Sequence, residues 1–169
     1  MERIWKSHVD TYDAAYRAMG SDSHRWAPRT RETADHSLPY TIAVTLSEGR
    51  LTSAAYQMDR LSDPVTKRLM EMICVTSLEA MTRAFPSRVQ TRISIQTEDG
   101  ETHSHLQELP KGHAHNPLSD VELEEKFIEL FAPWGDARSA SRALEMLWQV
   151  DRVENVARLV DMLCPTTRP

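Results

Sequence analysis

The chain has 169 residues, of which 40% are hydrophobic, and it carries a formal net charge of −5 at pH 7. Its length fits one domain, or a small domain with an appendage, and the apolar share is enough for a core. The acidic balance argues against a nucleic-acid or anionic-membrane partner, because both need a basic footprint on the protein.

Hydrophobic periodicity and turn residues divide the N-terminal half into strand and helix patterns. They favour a strand at 2–11, where a helix is the competing interpretation, a helix at 12–19, a polar loop at 20–29, helices from Ser37 and from Asp63, and a further strand at 72–76. The helix from Ser37 has Pro39 in its first turn and Gly49 at its end, which are positions that these residue types prefer.

The clearest strand pattern runs from 89 to 97, where apolar and polar residues alternate. Such alternation is typical of a half-buried strand. Asp99-Gly100 follows and is a strong hairpin signal, so residues 101–107 should form the return strand.

The last fifty residues change to helical patterns. Ser119 and Glu122 form a capping box, and three apolar stripes follow it. We therefore predict an α+β fold, with a small antiparallel sheet and flanking helices at 1–117 and C-terminal helices at 118–169. Three short amphipathic helices bury their stripes poorly alone, so they should pack on the sheet domain, a second copy or another chain.

The segment Asp35-His36-Ser37-Leu38-Pro39-Tyr40 is the first candidate site. His36 and Tyr40 are four residues apart at a helix start, where the free N–H groups favour a carboxylate ligand. Histidine exchanges protons near neutral pH, and a tyrosine hydroxyl can donate to a carboxylate or a leaving oxygen. The alternative is that Asp35 or Ser37 only caps the helix while His36 and Tyr40 pack at a domain surface.

Lys111-Gly112-His113 is the second candidate, since a lysine and a histidine flanking a glycine on a loop can bind a carboxylate. The alternative is an ordinary connector from the sheet to the next helix.

Two histidine pairs raise a zinc hypothesis, because alternate residues of a strand point the same way. They are His103 with His105 and His113 with His115. An exposed polar strand face is the preferred interpretation, since no convergent second pair is visible, and we expect no metal. The two cysteines are too few for an iron–sulfur cluster.

The stretches T-R-E-T-A-D-H-S-L-P-Y at 30–40 and K-G-H-A-H-N-P-L-S-D at 111–120 resemble the small domain of the MmgE/PrpD family. That family includes 2-methylcitrate dehydratase and cis-aconitate decarboxylase. The resemblance runs from about residue 4 to about residue 131. It departs from the family pattern at Ala114, where proline is usual.

The resemblance implies that Tyr40 and His36 are catalytic and that Lys111 and His113 bind substrate. It implies dehydration of a 2-methylcitrate-like hydroxy acid, a small di- or tricarboxylic acid, with no metal or other cofactor. The chain resembles the last third of family members, so we expect an N-terminal helical domain or subunit to complete the site.

The alternative is a non-catalytic module that binds a polycarboxylate or has a structural role. A homo-oligomer through the C-terminal helices would fit that role, with Phe131, Trp134 and Trp148 exposed on the contacting faces. We expect a cytoplasmic protein without a membrane partner, because no segment has the apolar length of a signal peptide or a membrane span.

Overall fold

The computed structural model describes residues 4–164 and divides them into two compact units, the first ending at Pro110 and the second beginning at Lys111. None of the helices at 4–164 is both long enough and apolar enough to cross a membrane.

The first unit combines a sheet with short helices. Within residues 4–110 the strands are β1 (Ile4–Thr11), β2 (Ile73–Ser77), β3 (Thr91–Thr97) and β4 (Thr102–Gln107). The helices are α1 (Asp13–Met19), α2 (Ser23–Trp26), α3 (Arg31–Asp35), α4 (Leu38–Glu48), α5 (Pro64–Glu71) and α6 (Glu79–Ala84), with 3₁₀ turns at Ser53–Tyr56 and Arg60–Ser62. The fold is therefore α+β, as predicted.

The sheet has the strand order β2-β1-β3-β4. β1 pairs with β2 in parallel, placing Val9 opposite Val75, whereas the other two pairings are antiparallel. The sheet is thus mixed, and the prediction of a purely antiparallel sheet was wrong. The reason is the long helical connection from α1 to α5, which returns the chain to the end of the sheet where β1 began.

The sequence identified most of the strands in this unit. Strand β1 confirms the strand interpretation of the N-terminal segment, although residues 2 and 3 lie outside the described part of the chain. The predicted hairpin joins β3 and β4, and Gly100 adopts a φ of 91° in its turn, a conformation that favours glycine. The predicted polar loop at 20–29 contains the short helix α2.

The core of the first unit lies between one face of the sheet and the helices. Val9, Ile73 and Val75 from the sheet belong to one buried cluster with Ala43 of α4 and Met70 of α5. Strand β4 is exposed along its whole length. The described helices of this unit therefore cover β1 and β2 well and leave β4 without a layer over it.

The second unit is helical. It contains α7 (Asp120–Phe131), α8 (Ala137–Leu147), a 3₁₀ turn at Val150–Arg152 and α9 (Val156–Leu163). The predicted capping box at Ser119 and Glu122 starts α7. Phe131 is buried, so the expectation that it is exposed was wrong: its ring stacks on Phe127 at 5.5 Å between centroids.

The second unit leaves large apolar side chains on its surface. Trp134 and Trp148 are both about half exposed, as expected, and the Trp148 indole N–H donates to Glu124 at 2.7 Å. Large exposed apolar residues also occur on α7 and α9, and they include Leu123, Leu130, Val156 and Val160.

We expect Gly135→Ala to destabilise the second unit. A Cβ atom there would lie 2.5 Å from Cε1 of Phe131, so the buried ring would have to shift. Overpacking of this kind costs about 1–3 kcal/mol, measurable as a lower free energy of unfolding in urea. Ser141→Ala, on the exposed side of α8, is the control and should change that energy by less than about 0.5 kcal/mol. Equal stability of the two variants would contradict the packing described for Phe131.

Candidate functional site

The junction between α3 and α4 holds the first predicted site. Thr30 begins α3 with a capping box to Thr33, and Ser37 begins α4 by accepting a hydrogen bond from the Tyr40 N–H at 3.2 Å. The Ser37 hydroxyl also donates to the Arg25 carbonyl. Ser37 is completely buried, and its two bonds join α2 to the start of α4.

His36 and Tyr40 do not share a helix. His36 is the C-cap of α3, and α4 starts only at Leu38. The four-residue spacing therefore crosses a helix boundary and does not place the two side chains on one helix side. The His36 side chain is 59% exposed, whereas Tyr40 is 1% exposed.

Tyr40 lies in the interior of the first unit. Its hydroxyl donates to the Ala55 carbonyl, and its ring is tilted 43° against Tyr56 with centroids 6.2 Å apart. Burial raises the pKa of the Tyr40 hydroxyl, so it is protonated at neutral pH. A catalytic role for Tyr40 therefore requires that its bond to Ala55 open.

The exposed imidazole of His36 forms a pair with the neighbouring carboxylate. Its Nδ1 contacts Asp35 Oδ1 and lies 3.1 Å from the Glu32 carbonyl. The hydrogen bond to Asp35 raises the pKa of His36, and the bond to Glu32 acts in the same direction. Within residues 4–164, Nε2 makes no hydrogen bond. Because Nδ1 donates to Asp35 and Glu32, Nε2 accepts a hydrogen bond in the neutral ring and carries an N–H for a ligand only in the protonated ring.

Tyr56 is a residue that the sequence analysis missed. It is the partly buried last residue of the 3₁₀ turn Ser53–Tyr56, and its hydroxyl makes no hydrogen bond to the described residues. Burial raises its pKa, and the negative charge of Asp35 raises it further. Tyr56 is thus a protonated phenol close to the Asp35–His36 pair. No sequence pattern relates it to Tyr40, since the two meet only through the backbone turn at Ala55.

Lys111 lies in the second unit, where its ammonium group is matched by a carboxylate. Its Nζ is 2.9 Å from Glu122 Oε2, and the same oxygen accepts from the Ser119 N–H and hydroxyl at 2.8 Å. The Ser119 N–H and the Lys111 ammonium lower the pKa of Glu122 to about 2. Lys111 therefore lies beside a carboxylate at the start of α7 that is ionised at neutral pH.

His113 belongs to a closed turn just before α7. The Gly112 N–H donates to the Asn116 carbonyl and the Asn116 N–H donates to the His113 carbonyl, both at 2.8 Å. Gly112 has a φ of 92°, which favours glycine at this position. The His113 Nδ1 accepts from the His115 N–H at 3.1 Å, so a proton on the neutral ring sits on Nε2.

The histidine pairs do not form a metal cluster in the part of the chain that is described. No group of three or more potential ligands occurs among residues 4–164. His103 and His105 lie on the exposed strand β4, opposite Ile95 and Ile93 of β3.

A polar cluster on the opposite face of the sheet also escaped the sequence analysis. The His8 Nε2 lies 2.9 Å from Asp10 Oδ1 and 3.1 Å from the Thr76 hydroxyl, which donates to the same Asp10 oxygen at 2.7 Å. Arg92 approaches the other Asp10 oxygen at 4.0 Å. The i,i+2 spacing of His8 and Asp10 on a strand was the available signal, because it places both side chains on one face.

Chemically, the α3–α4 junction offers proton donors and the start of α7 offers a cation. The Asp35–His36 pair and Tyr56 can donate to a carboxylate or to a departing hydroxyl. Lys111 keeps further N–H donors besides the one directed at Glu122, because an ammonium group has three.

We expect Ser37→Ala to destabilise the first unit by about 1–3 kcal/mol, since it removes a helix cap and leaves the Arg25 carbonyl without the donor of a partly buried hydrogen bond. The measurement is the free energy of unfolding in urea. Ser47→Ala is the matched control: its hydroxyl bonds the Val44 carbonyl in the last turn of the same helix, and its loss should cost less than about 0.5 kcal/mol. A Ser37 variant as stable as the Ser47 variant would show that the junction does not depend on this side chain.

We expect Asp35→Asn to lower the pKa of His36, because the largest cause of its raised value is the Asp35 hydrogen bond. An NMR titration of the His36 ring measures this shift directly. Because the pKa of His36 is raised in the folded chain, the Asp35–His36 pair stabilises the fold at pH values below the unfolded histidine pKa of about 6.5. This stabilisation is lost as the pH rises through the folded pKa of His36. Asp22→Asn is the control, since Asp22 caps α2 through His24. An unchanged His36 pKa in Asp35→Asn would contradict the pairing.

Comparison with known proteins identifies the family of this chain. The family description that matches is the MmgE/PrpD C-terminal domain, over residues 1–152. No curated protein matches the chain. The match covers most of both units and includes the α3–α4 junction and the Lys111–His113 turn. The chain belongs to the MmgE/PrpD family and carries its C-terminal domain.

Proposed function

We propose that the chain is the C-terminal part of an MmgE/PrpD-type lyase that dehydrates a 2-methylcitrate-like hydroxy acid. The observation that carries this proposal is family membership over residues 1–152, together with an exposed, carboxylate-paired histidine in the family motif. The substrate class is a small di- or tricarboxylic acid, and the proposal includes a cytoplasmic location.

The reaction requires an acid and a base. A base removes the C–H proton, the electron pair forms the new double bond, and an acid protonates the departing hydroxyl, which leaves as water. His36, protonated and open at Nε2, supplies the acid or holds a substrate carboxylate. Tyr56 offers a second donor, because its hydroxyl makes no hydrogen bond to any described residue. We assign the base to an N-terminal helical domain or subunit.

Lys111 and His113 hold the substrate in this proposal. Lys111 can donate to a substrate carboxylate while it keeps its bond to Glu122, because the ammonium group has further donors. His113 can donate from Nε2 while Nδ1 accepts the His115 N–H. Both groups act by hydrogen bonding and charge, without a metal.

A second candidate is a non-catalytic module that binds a polycarboxylate. The position of Tyr40 favours it, because the hydroxyl expected in the active site is bonded to Ala55 in the interior. Such a module would keep the carboxylate donors of His36 and Lys111 and would not turn the ligand over.

The test is a reconstitution with 2-methylcitrate. The chain alone, and the chain with an N-terminal helical domain of the family, are followed by the absorbance of the alkene acid product. We expect activity only in the completed enzyme, and we expect His36→Gln to lower kcat by about 100-fold, the usual contribution of one acid–base group. Tyr56→Phe should lower it by a smaller factor.

The matched control is His24→Gln, because His24 is an exposed histidine on α2 whose side chain is outside the junction. It should leave kcat unchanged. A completed enzyme that binds 2-methylcitrate without turnover would favour the non-catalytic module. Absence of both binding and turnover across small polycarboxylates would refute both candidates.

A further inference from the structure

The first unit contains a groove that the proposed reaction does not use. It has a volume of about 590 Å³ and lies between the segment 26–29, the turn Arg60–Ser62 and helix α5. Cavities of roughly 300–1,000 Å³ are typical of small-molecule sites. His36 and Tyr40 are not among the residues that line this groove.

The floor and walls of the groove are apolar. Leu61 and Met70 line it from the buried core, whereas Met58 is 66% exposed beside them. Trp26 forms a further wall, and its indole N–H donates to the Gly20 carbonyl at 2.9 Å. Because that bond satisfies the only polar atom of the side chain, the Trp26 ring offers apolar surface to a ligand.

The exposed charged residues that line the groove are Arg29, Lys67 and Glu71. Within residues 4–164, none of the three side chains forms an ion pair. Lys67 and Glu71 are four residues apart on α5 and do not pair, whereas Asp13 and Arg17 at the same spacing are 2.8 Å apart. The groove therefore has two cations and one carboxylate without an ion-pair partner among the described residues, with an excess of one positive charge.

We propose that this groove binds an amphipathic monocarboxylate. The carboxylate is held by Arg29 and Lys67, and the apolar body lies against Trp26 and Met58. A polycarboxylate fits poorly, because its additional charges would face an apolar wall or the Glu71 carboxylate. An apolar amine fits poorly as well, because the cations outnumber the carboxylate. The inference does not rest on the proposed lyase activity.

The test is calorimetric titration of the full chain with octanoate, whose eight-carbon body is smaller than the groove. We expect saturable binding, and weaker binding of octan-1-ol, which has the same body without the charge. Arg29→Gln with Lys67→Gln should raise the Kd for octanoate by about tenfold or more, as expected for loss of charge-assisted hydrogen bonds. Met58→Asp, at an exposed position, should have the same effect by repelling the carboxylate.

The matched control is Arg68→Gln, because Arg68 is an exposed cation on the same helix that does not line the groove. It should leave the Kd unchanged. The proposal is overturned by no octanoate binding to the wild-type chain, by equal binding of octan-1-ol, or by an unchanged Kd in both groove variants. Citrate binding more tightly than octanoate, with loss in the Arg29/Lys67 variant, would overturn the ligand class. None of these readouts involves turnover, so failure here is distinguishable from failure of the lyase proposal.

Discussion

The buried hydroxyl of Ser37 fixes the local geometry on which the candidate site depends. It accepts the N–H of Tyr40 and donates to the carbonyl of Arg25, so one side chain begins α4 and holds the preceding segment against it. The chain must then turn between His36 and Leu38. That turn leaves His36 outside at the end of α3 and directs Tyr40 inward. The hydrogen bond from Ser37 to Arg25 also holds the residue before Trp26, which lines the groove. Ser37 therefore positions both the groove wall and the Asp35–His36 pair.

The sequence predicted the structural elements that are determined by residues adjacent in the chain. The Asp99-Gly100 turn and the Ser119–Glu122 capping box need only neighbouring residues, and both are present. The parallel pairing of β1 with β2 could not be predicted in this way, since it depends on how a long helical connection packs. Gly135, four residues after Phe131, leaves room for that ring, but the sequence does not show which way the ring turns.

In the candidate site, too, features determined by neighbouring residues were predicted, and features determined by packing between separate segments were not. The motif at 30–40 identified the junction, because capping residues and a histidine before a proline are visible in sequence. The prediction that His36 and Tyr40 lie on one side of a helix was wrong. The i,i+4 rule holds only within one helix, and the helix boundary at Ser37 separates the two residues. Tyr56 was not predictable, because the turn at Ala55 brings it to Tyr40. Lys111 was identified, whereas its pairing with Glu122 follows from the capping box that already holds that carboxylate.

The two tyrosines differ in what a proton-donating role would require. Freeing the Tyr40 hydroxyl leaves the buried Ala55 carbonyl without a partner, at a cost of about 1–3 kcal/mol, before any loss of ring packing. By itself that cost would keep the open form to about a sixth of the population or less. Among residues 4–164 the Tyr56 hydroxyl has no such bond to break, and the charge of Asp35 raises its pKa. A ligand at the junction would therefore meet Tyr56 first, and it would engage Tyr40 only if its own contacts with the open form exceeded the energy of the Ala55 bond.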